Sequence, residues 1–260
     1  MNPDPAQKLL EVEGLSMAFG STVVMEEITF DLARGEIVFL IGASGCGKST
    51  LMRHLIGLLK PAAGRILHYG QDYASLGPAS RETLARKFGI LFQSGALFSS
   101  LSLFDNVALP LRLHTEYNPA SIRELVRWKL ALVGLEHAAE QYPHELSGGM
   151  IKRAGLARAL ALDPETLFCD EPSAGLDPIS SYRLDELIKE LSCQLNTGLV
   201  IVSHELASIF SIADKAVFLD VSTRKMLEVG DPRKMATSST HATIREFLNR
   251  GRTSSSSPDS

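Results

Sequence analysis

A glycine-rich segment at residues 42–49 carries the residue types that bind phosphate groups. It reads GASGCGKS and satisfies the pattern G-x-x-x-x-G-K-[ST]. An apolar stretch at 37–41 precedes it and a helical pattern at 51–59 follows it. In that context, backbone N–H groups can wrap phosphates and the helix N-terminus adds its positive dipole end. The alternative, a plain glycine-rich turn between a strand and a helix, explains fewer of these features.

Two side chains in this segment suit a nucleoside triphosphate. We expect the Lys48 ammonium to reach the β- and γ-phosphates, and the Ser49 hydroxyl to ligate Mg²⁺. The residues predicted to bind the nucleotide are Gly42, Ser44, Gly45, Cys46, Gly47, Lys48, Ser49 and Thr50.

Two acidic residues follow a second apolar stretch, at 166–169. Asp170 is predicted to hold Mg²⁺, through water. Glu171 is predicted to face the γ-phosphate and to orient and deprotonate the attacking water, a contribution of about 10²–10⁴-fold. Without the upstream glycine-rich loop, two acids at a solvated strand end would be the default interpretation.

Polar residues also follow two further apolar stretches, at 89–92 and 199–202. Ligands bind at the carboxyl ends of parallel strands, so we expect Gln93 and His204 to join the same site. His204 would contact the γ-phosphate and fix the water. Gln93 would sense the γ-phosphate and share in the Mg²⁺ site. The predicted catalytic set is Glu171, His204, Gln93 and Lys48, and the predicted metal set is Ser49, Gln93 and Asp170.

The elements that must position these residues alternate between strand and helix patterns, which predicts an α/β fold with a largely parallel sheet. The strand signal disappears at 94–159, which we interpret as an inserted helical subdomain. The core is then predicted at 8–93 and 160–235, with a C-terminal helix at about 241–250. The domains predicted are one unit at 1–252 and a disordered, Ser-rich tail at 253–260.

Composition excludes several classes of protein. With 45% hydrophobic residues and a net charge of −4 over 260 residues, a globular core is expected and a nucleic-acid partner is not. The sequence has no apolar run of about 18 residues and no secretory signal at its N-terminus, so any membrane contact is expected through a partner.

Three cysteines are scattered along the chain, at 46, 169 and 193, and indicate a reducing compartment with small buried thiols. Cys46 lies at a predicted helix N-terminus, where the pKa of a thiol can fall. We favour a small loop residue over a redox switch at this position.

A second helix N-terminus follows at residues 146–150, LSGGM. Ser147 can cap this helix and leave backbone donors exposed, which makes sense if they serve the γ-phosphate of a second chain's nucleotide. Residues 173–177 read SAGLD. Together with the motifs above, which follow one another in the order found in the ABC ATPase family, they make the sequence from about 10 to 230 resemble that family.

This resemblance implies a P-loop NTPase (RecA-like) core with an N-terminal antiparallel β part, and a head-to-tail homodimer that hydrolyses two ATP molecules. Ser147, Gly148, Gly149 and Asp177 would contact the partner's ATP. Phe19 would stack on adenine, unless it is a core aromatic. The sequence departs from the commonest family pattern at Met150, usually Gln, and Glu205, usually Asp, which narrows the subfamily and leaves ATP binding intact.

Residues 92–98, 104–108 and 110–112 are similar to one branch of the family, the MlaF-type ATPases of Mla/Mce phospholipid transporters. That branch implies an integral-membrane permease, an MCE lipid-binding protein and a STAS-domain subunit. It also implies a location on the cytoplasmic face of the inner membrane of a Gram-negative bacterium, and a role in outer-membrane lipid asymmetry. The alternatives are a transporter of another lipid or hydrophobic substrate, a soluble non-transport ABC ATPase, and a regulatory module that holds ATP without hydrolysis.

An apolar cluster after Gln93 is a candidate groove for the permease. It consists of Leu97, Phe98, Leu103 and Phe104. The alternative is burial within the helical subdomain.

Overall fold

The computed structural model describes residues 8–20 and 22–250. Its strands are β1 (Lys8–Phe19), β2 (Thr22–Ala33), β3 (Ile37–Gly42), β4 (Ala63–His68), β5 (Gln71–Asp72), β6 (Phe88–Leu91), β7 (Thr166–Asp170), β8 (Gly198–Val202), β9 (Lys215–Asp220) and β10 (Lys225–Gly230). Its α-helices are α1 (Lys48–Leu55), α2 (Pro78–Ala85), α3 (Leu103–His114), α4 (Pro119–Leu132), α5 (Gly148–Ala159), α6 (Pro178–Leu195), α7 (Leu206–Ile212), α8 (Pro232–Ser238) and α9 (Ala242–Asn249).

Within these residues the strands form one sheet in the order β5-β4-β1-β2-β10-β9-β3-β8-β7-β6. From β9 to β6 the neighbouring strands are parallel. The N-terminal strands pair antiparallel, β1 with β2 and β4. The sequence prediction of a mainly parallel core with an antiparallel N-terminal part is therefore confirmed.

The central strand β3 shows how two cores share one sheet. All six of its residues are buried. Ile37, Phe39 and Ile41 belong to a core formed with the helices α3 to α9. Val38 and Leu40 belong to a second core with α1 and the antiparallel strands. Successive side chains of a strand point to opposite faces, so a continuously apolar strand is what a sheet covered on both faces requires.

Helices α3, α4 and α5 lie between β6 and β7 in the chain, and α3 packs against the other two. An ion pair joins α4 to the segment before β7, between Lys129, which is 1% exposed, and Asp163, which is exposed. The limits of a separate helical subdomain, 94 and 159, remain a prediction.

Three sequence-based expectations need correction. Helix α1 ends at Leu55, so Leu59 lies outside it. Leu103 is fully buried against the helical core and cannot line a surface groove. Cys193 is exposed, whereas Cys46 and Cys169 are buried.

The predicted tail at 253–260 and the residues considered for a secretory signal lie outside the described residues. Among the described residues, no helix combines the length and the apolar character needed to cross a membrane.

Candidate functional site

The candidate site lies where the parallel strands end. The loop 43–47 follows β3, Gln93 follows β6, Glu171 follows β7 and His204 follows β8. Because these strands are parallel, their carboxyl ends meet at one edge of the sheet. A cleft of about 750 Å³ opens there, lined by Gly42, Ala43, Ser44, Gly45, Gly47, Lys48, Ser49, Thr50, Gln93, Glu171, His204, Leu206, Phe247 and Arg250.

Two glycines allow the loop to fold as it does. Gly47 is the N-cap of α1 and has φ 97°, a left-handed value that side chains rarely adopt. A Cβ at Gly42 would lie 2.2 Å from the backbone oxygen of Leu219, so only glycine fits between β3 and β9. The loop therefore turns sharply into α1, with its backbone close to the cleft.

Lys48 lies over this loop. Its Nζ donates hydrogen bonds to the backbone oxygens of Gly42 at 2.9 Å and Ala43 at 3.0 Å. The side chain is 8% exposed, and it lines the cleft. Both of these contacts are to neutral carbonyl oxygens, so neither balances the positive charge of the ammonium group. An anion in the cleft would supply the opposite charge.

Cys46 lies beneath the loop rather than in the cleft. It is 1% exposed, and burial raises the pKa of its thiol. This agrees with the small loop residue favoured from the sequence over a redox switch, because desolvation outweighs the nearby charge of Lys48. Any contact of Cys46 with a nucleotide would come from its backbone.

Ser49 and Asp170 come together across the sheet edge. The Ser49 Oγ donates a hydrogen bond to the Asp170 Oδ1 at 3.2 Å. Among the described residues, no group of three or more His, Cys, Asp or Glu side chains could hold a metal alone. A hydroxyl and one carboxylate fit Mg²⁺, which is usually bound by one or two protein groups, substrate phosphates and water.

Glu171 and His204 form the polar pair at the next strand ends. The His204 Nδ1 lies 2.8 Å from the Glu171 Oε1, and the glutamate side chain is 14% exposed. The Glu171 Oε2 is buried, with no hydrogen-bond partner among the described residues. An unpaired buried carboxylate oxygen costs about 1–3 kcal/mol or more. Glu171 and His204 both line the cleft, so the pair can face a nucleophilic water there.

The second glycine-rich segment faces a different cleft. Ser147 caps α5, and its Oγ accepts from the Met150 backbone N–H at 3.3 Å. Ser147 and Gly149 line a cleft of about 480 Å³ with Leu176, on the segment before Asp177. Asp177 itself caps α6 through the Ile179 and Ser180 N–H groups. None of these residues lines the cleft of Lys48, and Phe19, which is 56% exposed, does not line it either.

The structure adds site residues that sequence reasoning missed. Leu206, Phe247 and Arg250 line the cleft from α7 and from the C-terminal helix and its end. The Arg250 guanidinium lies 5.7 Å from the centre of the Phe247 ring. Lys152 on α5 is 6% exposed and donates to the backbone oxygens of Gln93 and, at 3.3 Å, Glu171. A lysine on the buried stripe of α5, with Gly155 and Leu156, was the available signal.

The glycine-rich loop, the Ser49–Asp170 pair and the Glu171–His204 pair on a parallel sheet define a P-loop ATPase. The family model of the ABC transporter matches residues 25–174. The chain belongs to the ABC transporter family, and as such it is the ATP-hydrolysing subunit of a transporter.

Several curated proteins are similar over most of the chain. The intermembrane phospholipid transport system ATP-binding protein MlaF of Haemophilus influenzae is 42% identical, over 88% of this chain and 86% of its own length. MlaF of Escherichia coli K12 is 38% identical, over 92% and 88%. The probable ribonucleotide transport ATP-binding protein mkl of Mycobacterium leprae is 42% identical, over 94% and 70%.

Solved structures show the same fold. The protein cbiO1 from Clostridium perfringens, part of the ABC transporter complex cbiONQ, superposes with a TM-score of 0.82 at 28% identity. The superposition covers 94% of this chain and 97% of that one. A dimeric ATP-binding cassette with ADP and Pi superposes with a TM-score of 0.76 at 24% identity, covering 85% and 98%.

Proposed function

We propose that this chain powers a transporter that moves phospholipid between the inner and outer membranes and so maintains outer-membrane lipid asymmetry. The observation that carries this proposal is the match to two MlaF proteins over 86% and 88% of their length, at 42% and 38% identity. The local similarity of residues 92–98, 104–108 and 110–112 to that branch agrees with it.

The alternative cargo follows from the mycobacterial relatives, which carry a ribonucleotide name. They are as similar in identity, but the chain spans 70% or 66% of their length. The better agreement in length favours phospholipid. Another lipid or hydrophobic substrate is the second alternative, and a soluble ABC ATPase is disfavoured because the matched relatives are named as transport proteins.

For the hydrolytic step, we propose roles that follow the geometry of the cleft. Lys48 binds the β- and γ-phosphates in exchange for its loop carbonyls. Ser49 and Asp170, with Gln93 from the same cleft, would hold Mg²⁺, which would supply positive charge to the phosphates. Glu171 takes the proton of the attacking water, while His204 holds Oε1 and contacts the γ-phosphate.

The complete site is proposed to need two copies of the chain. Ser147 and Gly149, on either side of Gly148, line a cleft shared with Leu176 and not the cleft of Lys48. In a twofold homodimer this surface, with Asp177, would face the partner's γ-phosphate, and Phe19 would stack on adenine.

The proposed partners are an integral-membrane permease, an MCE-domain lipid-binding protein and a STAS-domain subunit, with the chain on the cytoplasmic face of the inner membrane. The cleft lined by Phe104, Asp105, Arg123 and Arg127, about 680 Å³ in volume, supports a permease contact. Phe98 is 53% exposed nearby in the chain. This cleft replaces the groove expected from the sequence, since Leu103 is buried.

The test is transport by the assembled complex in vesicles. The chain, co-purified with its permease, should drive ATP-dependent transfer of a fluorescent phospholipid, and the Glu171→Gln variant should not. Transfer of a labelled ribonucleotide with no phospholipid movement would contradict the proposed cargo. Replacing Phe98 and Phe104 by Ser should leave ATP binding intact and uncouple hydrolysis from transfer.

A further inference from the structure

A buried lysine on the signature helix contacts both catalytic segments of its own site. Lys152 is 6% exposed, and its Nζ donates to the backbone oxygen of Gln93 and, at 3.3 Å, to that of Glu171. Burial lowers the pKa of Lys152, and the carboxylates of Glu171 and Asp170 oppose that shift. A buried cation is costly unless its contacts compensate, so an apolar side chain would serve packing better.

The backbone that Lys152 holds is in an unfavourable conformation. Glu171 has φ 49°, a left-handed value that is uncommon for any residue other than glycine. Its N–H donates to Val202 at 2.9 Å, and its carbonyl accepts from the Ala174 N–H at 3.2 Å as well as from Lys152. Such a conformation persists only where the surroundings hold it from several sides. Lys152 supplies one of those contacts.

Helix α5 is also fixed to the segment that follows Gln93. Arg158 donates to the backbone oxygens of Gly95 at 3.1 Å and Ala96 at 2.7 Å. Lys152 lies five residues from the capping Ser147, or about 7 Å along the helix axis at 1.5 Å per residue. A small movement of the helix N-terminus would therefore reach Gln93 and Glu171 through one rigid element.

We propose that Lys152 is a positioning residue that connects the end of α5 facing the partner's nucleotide to Gln93 and Glu171 of its own site. The inference rests on the proposed roles of Glu171 and of the two-chain site. The two sites of a dimer then depend on each other. A nucleotide that is bound to one chain contacts α5 of the partner, and through Lys152 this contact holds Glu171 of the partner in its catalytic position. ATP hydrolysis should then rise with ATP concentration more steeply than a hyperbola.

The test compares three lysine variants in the chain co-purified with its permease. Lys152→Met removes the donors and keeps the length of the side chain, while Lys152→Arg keeps a cation. Lys129→Met is the matched control, because Lys129 is equally buried but pairs with Asp163 away from the cleft. The measurements are ATP affinity by titration, kcat, the Hill coefficient and the melting temperature.

Lys152→Met should bind ATP as the wild type does and lose about 100-fold in kcat, the cost of displacing a reacting group by about 1 Å. Its Hill coefficient should fall to 1, and Lys152→Arg should recover part of both losses. Lys129→Met should lower the melting temperature and leave kcat per folded molecule and the Hill coefficient unchanged. If Lys152→Met does not fold, Lys152→Gln replaces it in the test. The expectations are the same, because the glutamine side chain has no charge and is too short to reach both backbone oxygens.

A lower melting temperature with wild-type kcat and Hill coefficient in the Lys152 variants would overturn the proposal and leave a structural lysine. A loss of ATP affinity like that of Lys48→Ala would overturn it too, because Lys152 would then bind phosphate itself. Failure of the underlying roles is separable: wild-type turnover in Glu171→Gln would remove the catalytic glutamate, whatever the Lys152 variants do.

Discussion

The two glycine-rich helix N-termini of this chain are built from similar parts and differ in what surrounds them. At the start of α1, Lys48 is bonded within the loop, and Ser49 meets Asp170 from a distant strand. At the start of α5, the bonds of Ser147 within the described residues stay in its own helix, and Gly148 is exposed while Gly149 is half-buried. Both ends offer backbone donors and a positive dipole end. In the part of the chain that the structure describes, the first end alone has the Lys48 ammonium, the Ser49 hydroxyl and the Asp170 carboxylate around it.

This difference is the basis of the proposal that the chain carries two halves of a site, which only two copies together would complete. The Ser147 surface includes Leu176 and Ser180, which flank Asp177, so two segments that the family resemblance assigns to the partner's ATP lie side by side. Variants at the start of α1 should therefore weaken ATP binding by the single chain. Variants at the start of α5 should lower turnover alone.

The largest effect is expected at Glu171. Glu171→Gln removes the base and keeps the shape, so turnover should fall by about 10²–10⁴-fold while ATP still binds. ATPase assays and nucleotide titration on the same preparation measure both. Glu190→Gln, an exposed change on α6, is the control and should be silent. Retained turnover in Glu171→Gln would remove it as the catalytic carboxylate.

Gly149→Asp tests the signature surface. A Cβ there meets nothing within 4 Å in the chain, and an acid in the first turn suits a helix, so stability should hold or rise. Facing a partner's γ-phosphate, the same charge should cost about 10²–10³-fold in turnover, as for loss of an electrostatic donor. Binding by the single chain should not change. Ala120→Asp, at the equivalent position of α4, is the matched control.

Lys48→Ala tests the other helix end. Hydrogen bonds to charged groups contribute about 1.5–3 kcal/mol, so ATP affinity should drop by about 10–150-fold. Calorimetric titration measures this on the isolated chain, with the exposed Lys60→Ala as the charge control. Equal affinity in both variants would show that Lys48 does not bind the phosphates.

Phe19→Ala should have a smaller effect on the same affinity. Phe19 is 56% exposed, so we expect the lower end of the stacking range, about 1 kcal/mol or about fivefold. Phe19→Trp should preserve binding, and Phe98→Ala, a similarly exposed aromatic, should not alter it. Unchanged affinity in Phe19→Ala would mean that no ring stacks from this position.

His68 and Asp185 are buried titratable residues outside both helix N-termini. Their substitution should change the free energy of unfolding and leave ATP affinity at neutral pH almost unaltered. His68 contacts the Leu55 oxygen at the end of α1, and burial lowers its pKa to about 4 from 6.5. Asp185 accepts from Ser208, and burial raises its pKa to about 6 from 3.8. Neutral His68 thus contributes stability that is lost as pH falls from 6.5 to 4, and protonated Asp185 contributes stability that is lost as pH rises from 3.8 to 6.

Urea denaturation across pH 4–8 separates these opposite slopes. His68→Gln should remove the loss on acidification, and Asp185→Asn should raise stability at pH 7 and not at pH 4. A pH profile unchanged by either substitution would contradict the assigned burial.

Local pattern predicted the nucleotide loop and the parallel strands, because motif, apolar run and helix follow each other within a few residues. It did not predict β10, whose residues are all half-buried and show no alternation. Strand β1 was also obscure, since register shifts interrupt its period of two. Lys152 contacts Gln93 across 59 residues, and Phe247 reaches the cleft from the last helix. Local pattern can place Lys152 on a buried helix stripe, but it names neither of these contacts.

The central proposal is that each ATP site is formed by two copies of the chain. Its most direct test is a structure of the Glu171→Gln variant with ATP and Mg²⁺. The predicted result is a twofold dimer in which each γ-phosphate contacts Lys48 of one chain and the Ser147 end of α5 from the other. Nucleotide enclosed by a single chain, with every Ser147 facing solvent in a form whose wild type hydrolyses ATP, would contradict it.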